Sequence, residues 1–295
     1  RESMDRPVAP AHFSGPLQPH GDGCFTVAVG GIAVRFEGLS EHLKAAALER
    51  YEPFLSEAPP LHIVAVFEGP TDYLDMAEDS FLRLEARHFP EGRILVSHVF
   101  AALGRTGGTV GLLRVSSNQP LRNSLGALEN YLRWTVADLA LEREGFVIHS
   151  AGLARNSTAY LLFGHSGAGK STATALSVDA AGALPLSDDL GLVLKRGEEF
   201  VAAATPFWGS MPQKVKERGL YPLAGAYHLR QSPTVALSDV PKALAVGMVL
   251  SCCPFVADPA RRAEKLMPLV EDFCKAVPVK ELFFRKDPSF WEIIA

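Results

Sequence analysis

Apolar and polar residues alternate from residue 24 to 36, CFTVAVGGIAVRF, with Gly30 and Gly31 at the centre. Alternation on both sides of a two-glycine turn predicts a β-hairpin, because alternate strand residues share a face and paired glycines permit a tight reversal. Short apolar runs at residues 61–67 (LHIVAVF), 93–100 (RILVSHVF) and 109–115 (TVGLLRV) predict further strands. From residue 123 to 144 the spacing of apolar positions becomes helical. Beyond it the order changes to strand, loop and helix: GFVIH (145–149) and TAYLLF (158–163) predict strands, KSTATALSVDAAG (170–182) a helix, and GALPLSDDL (182–190) an apolar segment ending on two acids. Residues 258–277 place Leu266, Leu269, Val270 and Phe273 on one helical face, leaving Arg261, Arg262 and Lys265 as solvated side chains. Pro259 and Pro288 each follow an aspartate and Pro241 follows Asp239 and Val240, so three carboxy-terminal helices are expected.

These elements suggest a flexible amino terminus (1–22), a strand-rich α+β region (23–122), a linking helix (123–144) and an α/β domain (145–295). The chain has 295 residues, 47% of them hydrophobic and 21% charged, which suffices for one large core or two modest ones. A net charge of -4 and a pI near 6.2 offer no basic field for a polyanion, so nucleic acid is not an expected partner. The longest apolar run, residues 243–253, is about half of the ~20 residues that span a bilayer, so no membrane segment is expected. Four cysteines without a CxxC pair read as reduced thiols in a cytoplasmic protein, and vicinal Cys252 and Cys253 read as buried small hydrophobes.

Candidate chemistry is concentrated in the second half. Residues 164–171 match GxxxxGKS, between a predicted strand and a predicted helix. Glycines allow successive amides to point into one cavity, and the helix amino terminus adds partial positive charge. Gly164, His165, Ser166, Gly167, Ala168, Gly169, Lys170, Ser171 and Thr172 are therefore the candidate nucleotide-binding residues. Lys170 would neutralise the β- and γ-phosphates of a nucleotide, and Ser171 would ligate Mg2+. Asp188 and Asp189 offer two carboxylates at a strand end, one for the metal and one to accept a proton from an attacking hydroxyl. His149 ends a predicted strand; alone, such a histidine is more often structural than chemical.

Taken together, GFVIHSAGLA, GHSGAGKSTA and LSDDL, in that order, resemble the catalytic core of HPr kinase/phosphorylase, the bacterial serine kinase related in fold to phosphoenolpyruvate carboxykinase. The resemblance covers residues 145–295, including an ending, AVPVKELFFRKDPSFWEII, similar to that of HPr-kinase-like proteins. It implies a P-loop kinase domain of this type, use of ATP and Mg2+, His149 near the transferred phosphoryl group, and Asp188 or Asp189 as catalytic acid or base. Asp188 is expected to face the acceptor and Asp189 the metal. The family's LEIRG and PGRN stretches are missing; ATPFWGSM (204–211) stands in place of the first. HPr itself and phosphorolysis are therefore not expected.

The expected reaction is transfer of the ATP γ-phosphoryl group to a hydroxyl, on a protein or peptide serine or on a small molecule such as free serine. The chain could form a homo-oligomer. Two alternatives stand beside it: a nucleotide-gated binding module without turnover, and a carboxykinase-like enzyme acting on a carboxylate. One of Arg261, Arg262 and Lys265 could instead reach the phosphates as an electrophile.

Overall fold

The computed structural model describes residues 21–73, 84–89, 92–104, 108–207, 209, 218–256 and 258–295. The expected flexible stretch thus lies almost wholly outside the described residues, as do parts of segment 204–211. The chain is α/β and divides into two units, Arg1–Ala28 with Ala33–Thr135 and Val29–Ile32 with Val136–Ala295. The division falls inside the helix that follows the first sheet.

In the first unit, β1 (Gly23–Val29) and β2 (Ile32–Leu39) form the hairpin, and Gly30 and Gly31 take φ of 57° and 85°. Both central residues need positive φ in this turn, which glycine adopts without steric cost. Helix α1 (Glu41–Tyr51) starts where the Ser40 hydroxyl accepts from the Leu43 amide. Then come β3 (His62–Gly69), β4 (Leu84–Phe89), β5 (Gly92–Ser97), β6 (Phe100–Gly104) and β7 (Val110–Ser116). The sheet order is β1-β2-β3-β7-β6-β5-β4, with β3 parallel to β2 and β7. Residues 93–100 are two strands rather than one. The Ser97 hydroxyl accepts from the amides of Val99 and Phe100, and that local bonding reverses the chain. Helix α2 (Leu121–Leu141) starts earlier and stops sooner than its apolar spacing suggested. Its Tyr131 sets a hydroxyl 2.7 Å from buried His62 Nε2.

The second unit contains β8 (Gly145–Arg155), β9 (Thr158–Phe163), α3 (Lys170–Ala181), β10 (Leu184–Ser187), β11 (Leu190–Arg196), β12 (Glu199–Ala203), β13 (Leu220–Gln231), β14 (Ala236–Asp239), α4 (Lys242–Ser251), α5 (Met267–Ala276), β15 (Val279–Phe284) and α6 (Trp291–Ile294). Its strands run β10-β8-β11-β12-β13-β15-β14, and β9 pairs with both β13 and β8. The pairings β8-β11-β12-β13-β9-β8 therefore close a ring. Strand β8 is long because it serves three partners: Gly145 to His149 pair with β11, Gly152 to Ala154 with β10, and Ser150 to Arg155 with β9. His149 thus sits within a continuous strand, not at its end, at the point where the strand changes partner.

Two apolar layers flank this sheet. Tyr160, Leu162, Leu229 and Phe284 pack with Ala173 of α3 and Trp291 of α6, and the Trp291 indole donates to Ser177 at 2.8 Å. On α5, Phe273 meets Phe146 and Phe200 edge-on, and Leu269 and Val270 are also buried, as their spacing required. The segment before α5 is not one α-helix: a single turn at Pro259–Arg261 passes into π-helical Arg262–Leu266. Arg261 and Arg262 are held by partners and half-buried rather than solvated, whereas Lys265 is exposed as expected. Arg261 pairs with buried Asp138 at 2.7 Å and with Glu142 at 3.1 Å, and Lys265 pairs with Glu142. Arg262 donates to the carbonyls of Leu250, Cys253 and Val256. Among the described residues none of the three lines the cavity below. Asp258 and Asp287 cap the turns begun by Pro259 and Pro288, whereas Pro241 itself occupies the cap position before Lys242. Among the described residues no helix is long and apolar enough to cross a membrane.

Candidate functional site

Strand pairing brings three separate segments together. His149 lies opposite Leu190, so the bend holding Asp188 and Asp189 between β10 and β11 falls beside it. The next residue, Ser150, lies opposite Phe163, the last residue of β9, so the loop to α3 begins beside it too. The His149 amide donates to the Cys252 carbonyl at 2.7 Å, adding the end of α4. The partner change along β8 is thus what assembles the site.

The loop from Phe163 to Lys170 passes through Gly164, Gly167 and Gly169, at φ of 149°, 82° and 105°. An L side chain is strained at each, and at Gly169 a Cβ would also stand 2.6 Å from Phe284 Cζ. Lys170 opens α3 and folds back over the loop: its Nζ donates to the carbonyls of Gly164 (2.7 Å) and His165 (3.1 Å). Burial holds the Lys170 ammonium below the ordinary lysine value, and Cys252 and Asp189 oppose that shift. The first amides of α3 have no intrahelical carbonyl to meet, and the helix dipole is positive there.

The acids differ in setting. Asp188 is buried, and its Oδ1 accepts from the Gly209 amide at 2.9 Å. Asp189 is partly exposed; its Oδ1 lies 3.8 Å from His149 Nδ1, and its carbonyl lies 3.3 Å from that nitrogen. A Cβ at Gly209 would stand 3.0 Å from both Asp188 Oδ2 and Asp189 Cβ, so that glycine permits close approach to the pair.

A cavity of about 650 Å³ gathers these groups. His149, Asp188, Asp189, Gly164, His165, Ser166, Gly167, Gly169, Lys170, Ser171 and Thr172 all line it. Ala168 does not: its side chain is buried, and its amide donates to His165 within the loop. Gly209, Gln231, Ser251, Cys252 and Lys286 line the cavity as well, and sequence reasoning found no function for them. Cys252 corrects its reading as a buried hydrophobe: only Cys253 is fully buried, with burial pushing its thiol pKa up. The signal for Cys252 was masked by its place in an apolar run. Gln231 ends β13 and Lys286 lies two residues past the end of β15, where nothing local marks a polar residue as a lining group. Lys286 is a second cation at the cavity besides Lys170.

Such a cavity can hold an anion against the glycine loop and deliver two carboxylates and an imidazole to it. Ser171 and Asp189 supply hard oxygen donors of the kind Mg2+ takes. Among the described residues no three His, Cys, Asp or Glu side chains cluster in a way that could hold a metal ion. No family model matches the chain, and no curated protein matches it. Among solved structures, the HPr(Ser) kinase/phosphatase from Coxiella burnetii is similar at 10% identity and a TM-score of 0.29, covering 50% of this chain and 90% of its own; a likeness at that level carries no argument about what this chain does.

Proposed function

We propose that the chain is an ATP- and Mg2+-dependent phosphotransferase of the HPr kinase/phosphoenolpyruvate carboxykinase type, moving the γ-phosphoryl group to a hydroxyl. The supporting observation is the shared cavity, in which the glycine loop and Lys170 face Asp188, Asp189 and His149. A loop of amides with one lysine suits a polyphosphate, and an acid pair beside it suits a hydroxyl that must lose a proton. In this reading the loop amides and Lys170 hold the β- and γ-phosphates. Ser171 and Asp189 would hold Mg2+, which when bound would supply charge neutralisation on the phosphate oxygens. The small protein donor set fits an ion that takes one or two carboxylates and completes its shell with nucleotide phosphates and water. Asp188, kept in place by the Gly209 amide, takes the acceptor proton, and His149 faces the phosphoryl group in transit. The acceptor is a serine hydroxyl in a protein or peptide, or a small molecule such as free serine; a cytoplasmic setting and a homo-oligomer belong to the same proposal.

The test is γ-labelled ATP with magnesium, screened against free serine, serine peptides and candidate proteins. Label transferred to a hydroxyl supports the reading. Nucleotide bound for hours with no product formed favours the gated module instead, and oxaloacetate-dependent nucleotide consumption favours the carboxykinase-like alternative.

A further inference from the structure

Strand β13 runs parallel to β9, with His228 opposite Phe163, so Leu229, Arg230 and Gln231 carry it alongside the glycine loop that leaves β9. Leu229 turns into the core and Arg230 pairs with Glu281 on β15 at 2.9 Å. At the end of the strand Gln231 Nε2 donates to the Gly167 carbonyl at 2.8 Å. A carbonyl can only accept, so the amide nitrogen must face it. Gly167 is the exposed tip of the loop, and Gly169 lies against the Phe284 ring with Gln231 beside it.

Other ties of the loop come from within it and from the helix it opens: the Ala168 amide to the His165 carbonyl, His165 Nδ1 to the Ser166 carbonyl, the Ala173 amide to the Gly169 carbonyl, and Lys170 Nζ to the Gly164 and His165 carbonyls. The Lys170 ties are the ones an arriving phosphate competes for, since that ammonium cannot serve both fully. Gln231 reaches the loop from a different strand, so its bond does not run through Lys170.

We propose that Gln231 is a positioning residue that braces the tip of the glycine loop, holding its amides in the anion-facing arrangement before and after Lys170 turns to the ligand. Its ligand-binding consequence rests on the ATP-dependent reading above; the brace itself does not.

The test compares wild type with Gln231→Met, which keeps length but lacks a donor, and with Gln231→Glu, which sets a carboxylate against the Gly167 carbonyl. The first readout is hydrogen exchange at loop amides 164–169 without nucleotide. Losing one modest hydrogen bond speeds local opening about fivefold in the methionine variant, and the glutamate variant is faster still. The second is a split in kinetics: KM for ATP rises by a similar factor while the KM for the acceptor and the unfolding temperature hold. Unchanged loop exchange in Gln231→Met overturns the proposal. So does exchange that quickens throughout the second unit with a lower unfolding temperature, since that marks a general structural role. Faster loop exchange in a protein whose wild type neither binds nor turns over ATP upholds the brace and sinks the phosphotransferase reading instead.

Discussion

At the scale of single residues, Lys170 is the point where charge and loop geometry meet. Its ammonium lies on two carbonyls of its own loop, and on the proposed reading a bound phosphate would exchange those bonds for charge-assisted ones. Such contacts are worth roughly 1.5–3 kcal/mol each, about 10- to 100-fold in affinity. Lys170→Ala is therefore expected to weaken Mg·ATP binding by that range and to abolish transfer; calorimetric titration and a turnover assay check it, and equal affinity in the variant removes Lys170 from the phosphate site. The neighbouring acids separate by setting. Asp188 is buried on the Gly209 amide, whereas Asp189 lies beside His149 and within electrostatic reach of Lys170. Amide substitution keeps shape and removes basicity. Asp188→Asn should lower transfer by about 10²- to 10⁴-fold with ATP binding nearly unchanged, and Asp189→Asn should raise the magnesium requirement. Turnover across a magnesium titration decides it: rescue of Asp188→Asn but not Asp189→Asn by high magnesium reverses the two roles.

At the scale of elements, the site depends on pairing that local patterns do not encode. Strand β9 and helix α3 were legible, because an apolar run, three glycines and a helix-forming stretch occur in sequence. The continuation of β8 past His149 was not: Ser150 and Gly152 interrupt the apolar run, and the second half of the strand is held by pairing to β9 and β10. Likewise Ser97 splits one apolar run into two strands through side-chain bonding that hydropathy cannot register. The role of Arg261 followed from burial of Asp138 on a distant helix, again invisible to spacing. Strand β13 carries a further long-range group, His228, under the start of the loop: its Nε2 stands 3.7 Å from where a Gly164 Cβ would be. Burial lowers its pKa from the ordinary 6.5; Arg230 and His165 lower it further, and Glu281, with Oε1 3.8 Å from Nδ1, raises it in part. A histidine whose folded pKa is depressed binds a proton more readily when unfolded. Its effect on stability is therefore neutral well above pH 6.5 and turns unfavourable as pH falls from there toward the folded value. The chain should lose unfolding temperature between pH 7.5 and 5.5, and His228→Gln should lose less over the same interval; parallel curves for the two proteins remove His228 from that dependence.

At the scale of the whole molecule, the change from strand-rich to strand-loop-helix patterning marked two parts. What it could not mark is the division within α2, because a continuous helical pattern carries no signal of which core each turn serves. Each unit has its own sheet and its own buried apolar residues, and all the cavity-lining groups belong to the second. A ligand that binds only the folded form stabilises by RT ln(1 + [L]/Kd), about 2.7 kcal/mol at a hundredfold excess over Kd. Mg·ATP at that excess should therefore slow hydrogen exchange most in Val136–Ala295, above all around the glycine loop and the Asp188–Asp189 bend, while the strands β5 and β6 exchange almost as before. ATP without magnesium should protect less, since Ser171 and Asp189 then have no ion to share with the phosphates. Equal protection with and without magnesium removes the metal from the site. Protection centred on the first sheet places the nucleotide elsewhere in the chain, and the phosphotransferase reading fails with it.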